Sequence, residues 1–191
     1  MAETNIIIAG VGGQGTLLAS RIIGNMAIQL GYDVKVSEVH GMSQRGGSVV
    51  TYVRFSDGKV ASPVITEGHA DFVLAFEQLE AYRMIGFAKP GGKLIMSTQQ
   101  INPMPVITGA AQYPADIENK IRAKGIDLVA VDALALAVAA GNQKAVNTVL
   151  IGVLAKQSGI DKAVWLKSLE TTVPAKLLDV NLKAFEAGYA L

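Results

Sequence analysis

Residues 5–16 read NIIIAGVGGQGT, an apolar run that breaks into four glycines and is followed at once by a helical pattern. Asn5 to Ala9 shows no polar alternation, as expected of a strand covered on both faces of a parallel sheet. From Thr16 to Leu30 the apolar residues Leu18, Ile22, Met26 and Leu30 recur at helical spacing beside Ala19, Ile23 and Ala27, and Gly31 stops the helix. A strand, a tight glycine turn and an amphipathic helix in this order commit the chain to an α/β fold with ligands gathered at the carboxyl ends of its strands.

The remainder extends the alternation. YDVKVSEV is expected to form a second strand, ADFVLAFE a buried strand, QLEAYRMIGFA a short helix, PGG a turn and KLIMST another strand. PADIENKIRAKG reads as a helix that opens on Pro114 and closes on Gly125, and IDLVAVDA as the last strand. VVTYVRF and KVASPVI flank Asp57-Gly58, a pair that signals a hairpin, so an antiparallel element interrupts the pattern. From Ala133 onward the sequence is almost wholly helical. The expected architecture is a Rossmann-like, doubly wound, mostly parallel sheet with an antiparallel hairpin insertion and a helical C-terminal part. With 191 residues and no linker, it forms one domain over 1–191.

Gly10, Gly12 and Gly15 give G-x-G-x-x-G between strand and helix, the setting in which this pattern has physical meaning. Without a side chain at Gly12 a ligand can approach the backbone, and the free amides at the helix start, reinforced by the helix dipole, favour an anion. The cofactor-binding residues read from this turn are Gly10, Gly12, Gly13, Gln14, Gly15 and Thr16, with a phosphate as the group that fits; a purely structural strand-to-helix corner is the competing reading. No Gly-Lys-Ser/Thr ending makes it a nucleoside triphosphatase loop. For a dinucleotide, an acidic residue roughly twenty positions further on should bind the ribose hydroxyls. Glu38 stands near that distance, but no substrate domain accompanies it.

Residues 38–48, EVHGMSQRGGS, hold one of the two histidines together with a glutamate, an arginine and three glycines. Nothing in an ordinary core requires that mixture. Arg45 offers a planar fork of donors on a backbone that can lie close to a ligand or partner, and His40 can exchange a proton near neutral pH. The ligand or subunit contacts are read as Glu38, His40, Met42, Ser43, Gln44, Arg45, Gly46, Gly47 and Ser48, against the alternative that Arg45 and His40 only tie down their own loop. His69 reads as a packing or turn residue and Trp165 as core or interface. Leu166, Leu169, Leu177, Leu178 and Leu182 read as the packing face of the C-terminal helices.

Composition narrows the function classes. A formal net charge of +1 gives no broad field for nucleic acid or anionic membrane, so any anion site is local. With no cysteine the chain has no disulfide, thiolate nucleophile or cysteine-ligated iron–sulfur cluster. The N-terminus lacks a basic segment before its short apolar run, which points to the cytoplasm. A mean hydropathy of +0.35 fits either a large buried core or a sizeable subunit interface.

IAGVGGQG followed by EVHGMSQRGGSV closely resembles the small, gamma-type subunits of 2-oxoacid:ferredoxin oxidoreductases, in particular the indolepyruvate ferredoxin oxidoreductase beta subunits. The resemblance extends over essentially the whole chain, including the Asp-Gly segment, ADFVLAFE and the helix NTVLIGVLA that begins at Asn147. It implies an accessory subunit, inactive alone, of an enzyme that oxidatively decarboxylates a 2-oxoacid with coenzyme A, giving acyl-CoA, carbon dioxide and reduced ferredoxin. Thiamine diphosphate, magnesium and iron–sulfur clusters would then lie on a large catalytic alpha subunit, with ferredoxin met through the complex. No residue here is expected to be catalytic and no metal is expected on this chain; a stand-alone nicotinamide enzyme, the pyruvate or another 2-oxoacid branch of the same family, and a non-catalytic regulatory or assembly protein on this fold are the alternatives.

Overall fold

The computed structural model describes residues 3–41 and 46–191. Six strands form one sheet: β1 (Thr4–Val11), β2 (Asp33–His40), β3 (Ser48–Ser56), β4 (Ala70–Ala75), β5 (Ala88–Ser97) and β6 (Asp127–Val131), in the order β2-β3-β1-β4-β5-β6. β1, β4, β5 and β6 pair in parallel, whereas β3 is antiparallel to both its neighbours, β1 and β2. The helices are α1 (Thr16–Gln29), α2 (Gln78–Met84), α3 (Met104–Ile107), α4 (Ile117–Arg122), α5 (Ala133–Ala139), α6 (Val146–Ser158), α7 (Lys162–Thr172) and α8 (Ala175–Tyr189).

The unbroken apolar run of β1 has the consequence read from the sequence. Ile6 and Ile8 face one side of the sheet, packing with Ile22, Ile23 and Met26 of α1, Leu150 of α6, Trp165 of α7 and Phe185 of α8. Ile7 and Ala9 face the other, with Leu79 of α2 and Ile117 and Ile121 of α4. Trp165 is fully buried, as expected of a core residue, and Leu166, Leu169, Leu178 and Leu182 pack on the first cluster. Leu177 instead stays 38% exposed. None of the described helices is long and apolar enough to cross a membrane.

The antiparallel element exists, but not where Asp57-Gly58 placed it. β3 ends at Ser56, and KVASPVI forms no strand. β2 already occupies one edge of β3 and β1 the other, so neither edge is left for a third partner. Pro63 in that segment also lacks the N–H a ladder needs. The segment is held instead by side chains: Val60 N donates to Asp33 Oδ2 (2.8 Å) and Arg54 Nη1 to the Val64 carbonyl (2.8 Å). The expected Pro-Gly-Gly turn is a bulge inside β5, where Ala70 pairs with Ala88 but Phe72 with Lys93. The helix expected from Pro114 to Gly125 is confined to α4, entered through Asp116 at φ 57°.

Candidate functional site

The glycine turn is stitched in place by one side chain. Gln14 Oε1 accepts from Val11 N (2.7 Å), while its Nε2 donates to the Phe76 carbonyl (3.0 Å) and to Gln99 Oε1 (3.3 Å). Gln14 thereby ties together the carboxyl ends of β1, β4 and β5. Gly15 follows as the residue before α1, at φ 84°, and no side chain caps that helix. An added Cβ at Gly15 would lie 2.5 Å from Asn147 Nδ2, and that same amide donates to the Gly15 carbonyl (3.3 Å). The start of α1 is therefore locked against the start of α6, and only glycine satisfies both the backbone and the space.

Between these helix starts opens a cleft of about 650 Å³, lined at the turn by Gly13, Gln14 and Gly15. Gln99 and Ile101 border it after β5, and Lys144, Asn147 and Lys176 close the far side. Among the described residues no aspartate, glutamate, histidine, serine or threonine lines it. Lys144 and Lys176 make no ion pair with any carboxylate among the described residues. An uncapped helix N-terminus facing two lysines, with no carboxylate in the cleft among the described residues, favours an anion.

Of the six residues read as cofactor-binding, Gly13, Gln14 and Gly15 line this cleft. Gly10 is a packing position, where a Cβ would meet Gln14, Thr16 and Phe76 at 3.1 to 3.4 Å. Thr16 is buried, and its hydroxyl donates to Glu38 Oε2 (3.3 Å), which also accepts from Thr51 Oγ1 (3.2 Å). Glu38 thus serves two protein hydroxyls. Because β3 intervenes between β1 and β2, the strand that carries it lies one strand, about 4.8 Å, further from β1 than in a dinucleotide-binding unit, and its carboxylate reaches back to the turn only to bind Thr16.

Gly12 joins the second glycine segment to the first: its N–H donates to the Gly47 carbonyl (2.8 Å) and its carbonyl accepts from Gly46 N (3.4 Å). Ser48 then donates to Glu80 Oε2 at 2.5 Å. His40 is exposed, with Nδ1 3.0 Å from the Gly41 carbonyl, and His69 is a turn residue bound to Thr66 and Glu67. Met42, Ser43, Gln44 and Arg45 lie outside the described residues. Sequence reasoning missed Gln99, Lys144 and Lys176 as cleft residues and Glu77 and Glu80 as buried acids. Only Glu77, an acid closing the apolar run ADFVLAF, carried a visible signal.

The sequence profile of pyruvate ferredoxin/flavodoxin oxidoreductase matches residues 5–191. The chain belongs to that family. Within the pyruvate ferredoxin/flavodoxin oxidoreductase family it is 44% identical over 196 residues to the indolepyruvate oxidoreductase subunit IorB of Pyrococcus horikoshii, covering 98% of this chain and 95% of that protein. It is likewise 44% identical over 193 residues to IorB of Thermococcus kodakarensis, with the same coverage. The fold recurs in the gamma subunit of a keto/oxoacid ferredoxin oxidoreductase from Geobacter sulfurreducens PCA, with a TM-score of 0.72, 24% identity and coverage of 98% and 96% of the two chains. As a member of the pyruvate ferredoxin/flavodoxin oxidoreductase family, the chain is a component of an oxidoreductase.

Proposed function

We propose that this chain is the accessory, gamma-type subunit of a thiamine-diphosphate-dependent 2-oxoacid:ferredoxin oxidoreductase of the indolepyruvate branch. The complex converts an arylpyruvate such as indolepyruvate and coenzyme A to acyl-CoA and carbon dioxide, and passes the electron pair to ferredoxin. The observation that carries an accessory role is the cleft, whose lining among the described residues is amides, two lysines, glycines and aliphatic side chains, with no carboxylate, imidazole or hydroxyl, a set suited to holding an anion. Near-full-length identity to the IorB subunits supports the indolepyruvate branch.

The donor set does not fit the redox cofactors. The chain has no cysteine to ligate a cluster, and among the described residues no group of three His, Asp or Glu side chains is placed to hold a metal. Thiamine diphosphate, magnesium and the clusters belong to a large partner subunit, and the soluble complex meets ferredoxin in the cytoplasm. This chain's share is binding: the amides at the start of α1, with Lys144 and Lys176, receive a phosphate of coenzyme A. The guanidinium of Arg45 is assigned, by its chemistry, to that phosphate or to a carboxylate of the partner.

The test is made on the complex purified with its partner, assayed for coenzyme-A-dependent ferredoxin reduction by indolepyruvate. Lys144→Glu should raise the KM for coenzyme A about fivefold, corresponding to about 1 kcal/mol for an exposed charge contact. Arg45→Ala should raise the same KM or weaken assembly. Wild-type values for both variants would reject the assignment of coenzyme A to this chain.

A further inference from the structure

Two carboxylates are buried at the start of α2, Glu77 as its N-cap and Glu80 in its first turn, and they have different tasks. Glu77 is 1% exposed and serves its own surroundings: it caps α2 by accepting from Glu80 N (2.9 Å), and it accepts from Ile101 N (3.0 Å) and from the Tyr113 hydroxyl. Glu80 is 3% exposed and reaches outward instead. One oxygen accepts from Arg83 Nη1 at 2.6 Å and the other from Ser48 Oγ at 2.5 Å. Burying a carboxylate is costly unless charge and hydrogen bonds compensate it. Here the compensation comes from an arginine at the rim and from a hydroxyl 32 residues away in the chain.

Ser48 is the first residue of β3, paired in register with Val11, the last residue of β1. Immediately before it, Gly46 and Gly47 exchange backbone hydrogen bonds with Gly12. A continuous line of contacts therefore runs from Glu80 through Ser48 and Gly46–Gly47 to Gly12, where the turn lining the cleft begins. Gln14 fixes that turn from the side of β4 and β5. The backbone bonds to Gly12 fix it from the opposite side, through a segment whose far end is held by Glu80.

We propose that Glu80 is a positioning residue: paired with Arg83, it holds Ser48 and thereby sets Gly12 and the glycine turn in the geometry that receives a phosphate. The inference rests on the reading that the turn binds a phosphate of coenzyme A. Such a residue acts on binding and leaves the chemical step, on the partner, alone. A purely structural ion pair would act on stability alone.

Ser48→Ala, Ser48→Thr and Glu80→Gln are compared with Lys144→Glu in the complex, with KM for coenzyme A, kcat and Tm measured on each. Ser48→Ala deletes a single hydroxyl from a half-buried position, so it keeps the test sound where Glu80→Gln fails to fold. The expected result is a KM for coenzyme A raised about fivefold in Ser48→Ala, with kcat at saturating coenzyme A retained, and with Ser48→Thr restoring most of the loss. If Ser48→Ala lowers Tm while KM stays at the wild-type value, and Lys144→Glu raises KM in the same assay, the positioning role is overturned and the phosphate reading stands. If neither Lys144→Glu nor Ser48→Ala moves KM, the phosphate reading fails and the positioning role falls with it.

Discussion

Tyr113 closes the network around Glu77, donating to Glu77 Oε1 and accepting from Leu79 N (3.1 Å). Burial first, then the hydrogen bond to Glu77 and the repulsion of its charge, push the phenol well above its ordinary value near 10. A phenol whose folded value is raised contributes stability that is fully present below the unfolded value and is lost as pH rises beyond it. Tyr113→Phe leaves Leu79 N–H without its acceptor and Glu77 without one donor, so it should cost about 1–3 kcal/mol at neutral pH. It should also flatten the loss of stability above pH 10, and denaturant titrations of wild type and variant at pH 7 and pH 10.5 measure both effects. A wild-type midpoint at pH 7 would show that the network contributes nothing. None of this was legible in the sequence. Glu77 ends the apolar run ADFVLAF and was passed over, and its partners Ile101 and Tyr113 lie 24 and 36 residues away, where side-chain chemistry leaves no periodic trace.

At the scale of elements, α6 and α8 meet through two glycines that answer each other. A Cβ on Gly152 of α6 would fall 2.2 Å from the Phe185 carbonyl oxygen of α8, and one on Gly188 of α8 would fall 1.9 Å from the Val149 carbonyl oxygen of α6. The obstacles are backbone on the partner helix, so no rotamer change relieves them and the helices have to separate. Gly188→Ala should cost roughly 3 kcal/mol, at the upper end of ordinary overpacking. For a chain of this size that lowers Tm by about 6–12 °C, read from a thermal melt followed by circular dichroism. An unchanged Tm would mean that the two helices do not cross this closely. The elements themselves were largely readable: β1, α1, β2, β4, β6 and the C-terminal helices follow from local period and turn residues. Residues 59–65 were misread because Asp-Gly chemistry reports a local turn, while the occupied edges of β3 are decided by β1 and β2, distant in sequence. The cleft was readable only on its glycine side, since Lys144 and Lys176 reach it through the packing of α6 and α8.

In the whole molecule, the two apolar clusters lie on opposite faces of the same sheet and alternate residues of β1 belong to each: Ile6 and Ile8 to one, Ile7 and Ala9 to the other. Neither face can come apart without exposing the strand the other depends on. The C-terminal helices are no appendage either, because Trp165 of α7 and Phe185 of α8 are fully buried in the cluster that holds Ile6 and Ile8. The ion pairs lie mostly at the surface, as with Lys162–Glu186, Arg122–Glu118 and Lys183–Asp179, and exposed pairs contribute about 0–1 kcal/mol each. Cohesion therefore comes from one shared core, and the protein should unfold as one cooperative unit. Fluorescence of Trp165, the sole tryptophan, reports the helical layer, while far-ultraviolet circular dichroism reports helices and sheet together. The two signals should share one denaturation midpoint, and that midpoint should move little when salt rises from 0.1 to 1 M, where exposed pairs are screened. An earlier loss of tryptophan fluorescence would separate α6–α8 from the sheet as an independent unit, and the cleft, built from both, would then vanish before the fold does.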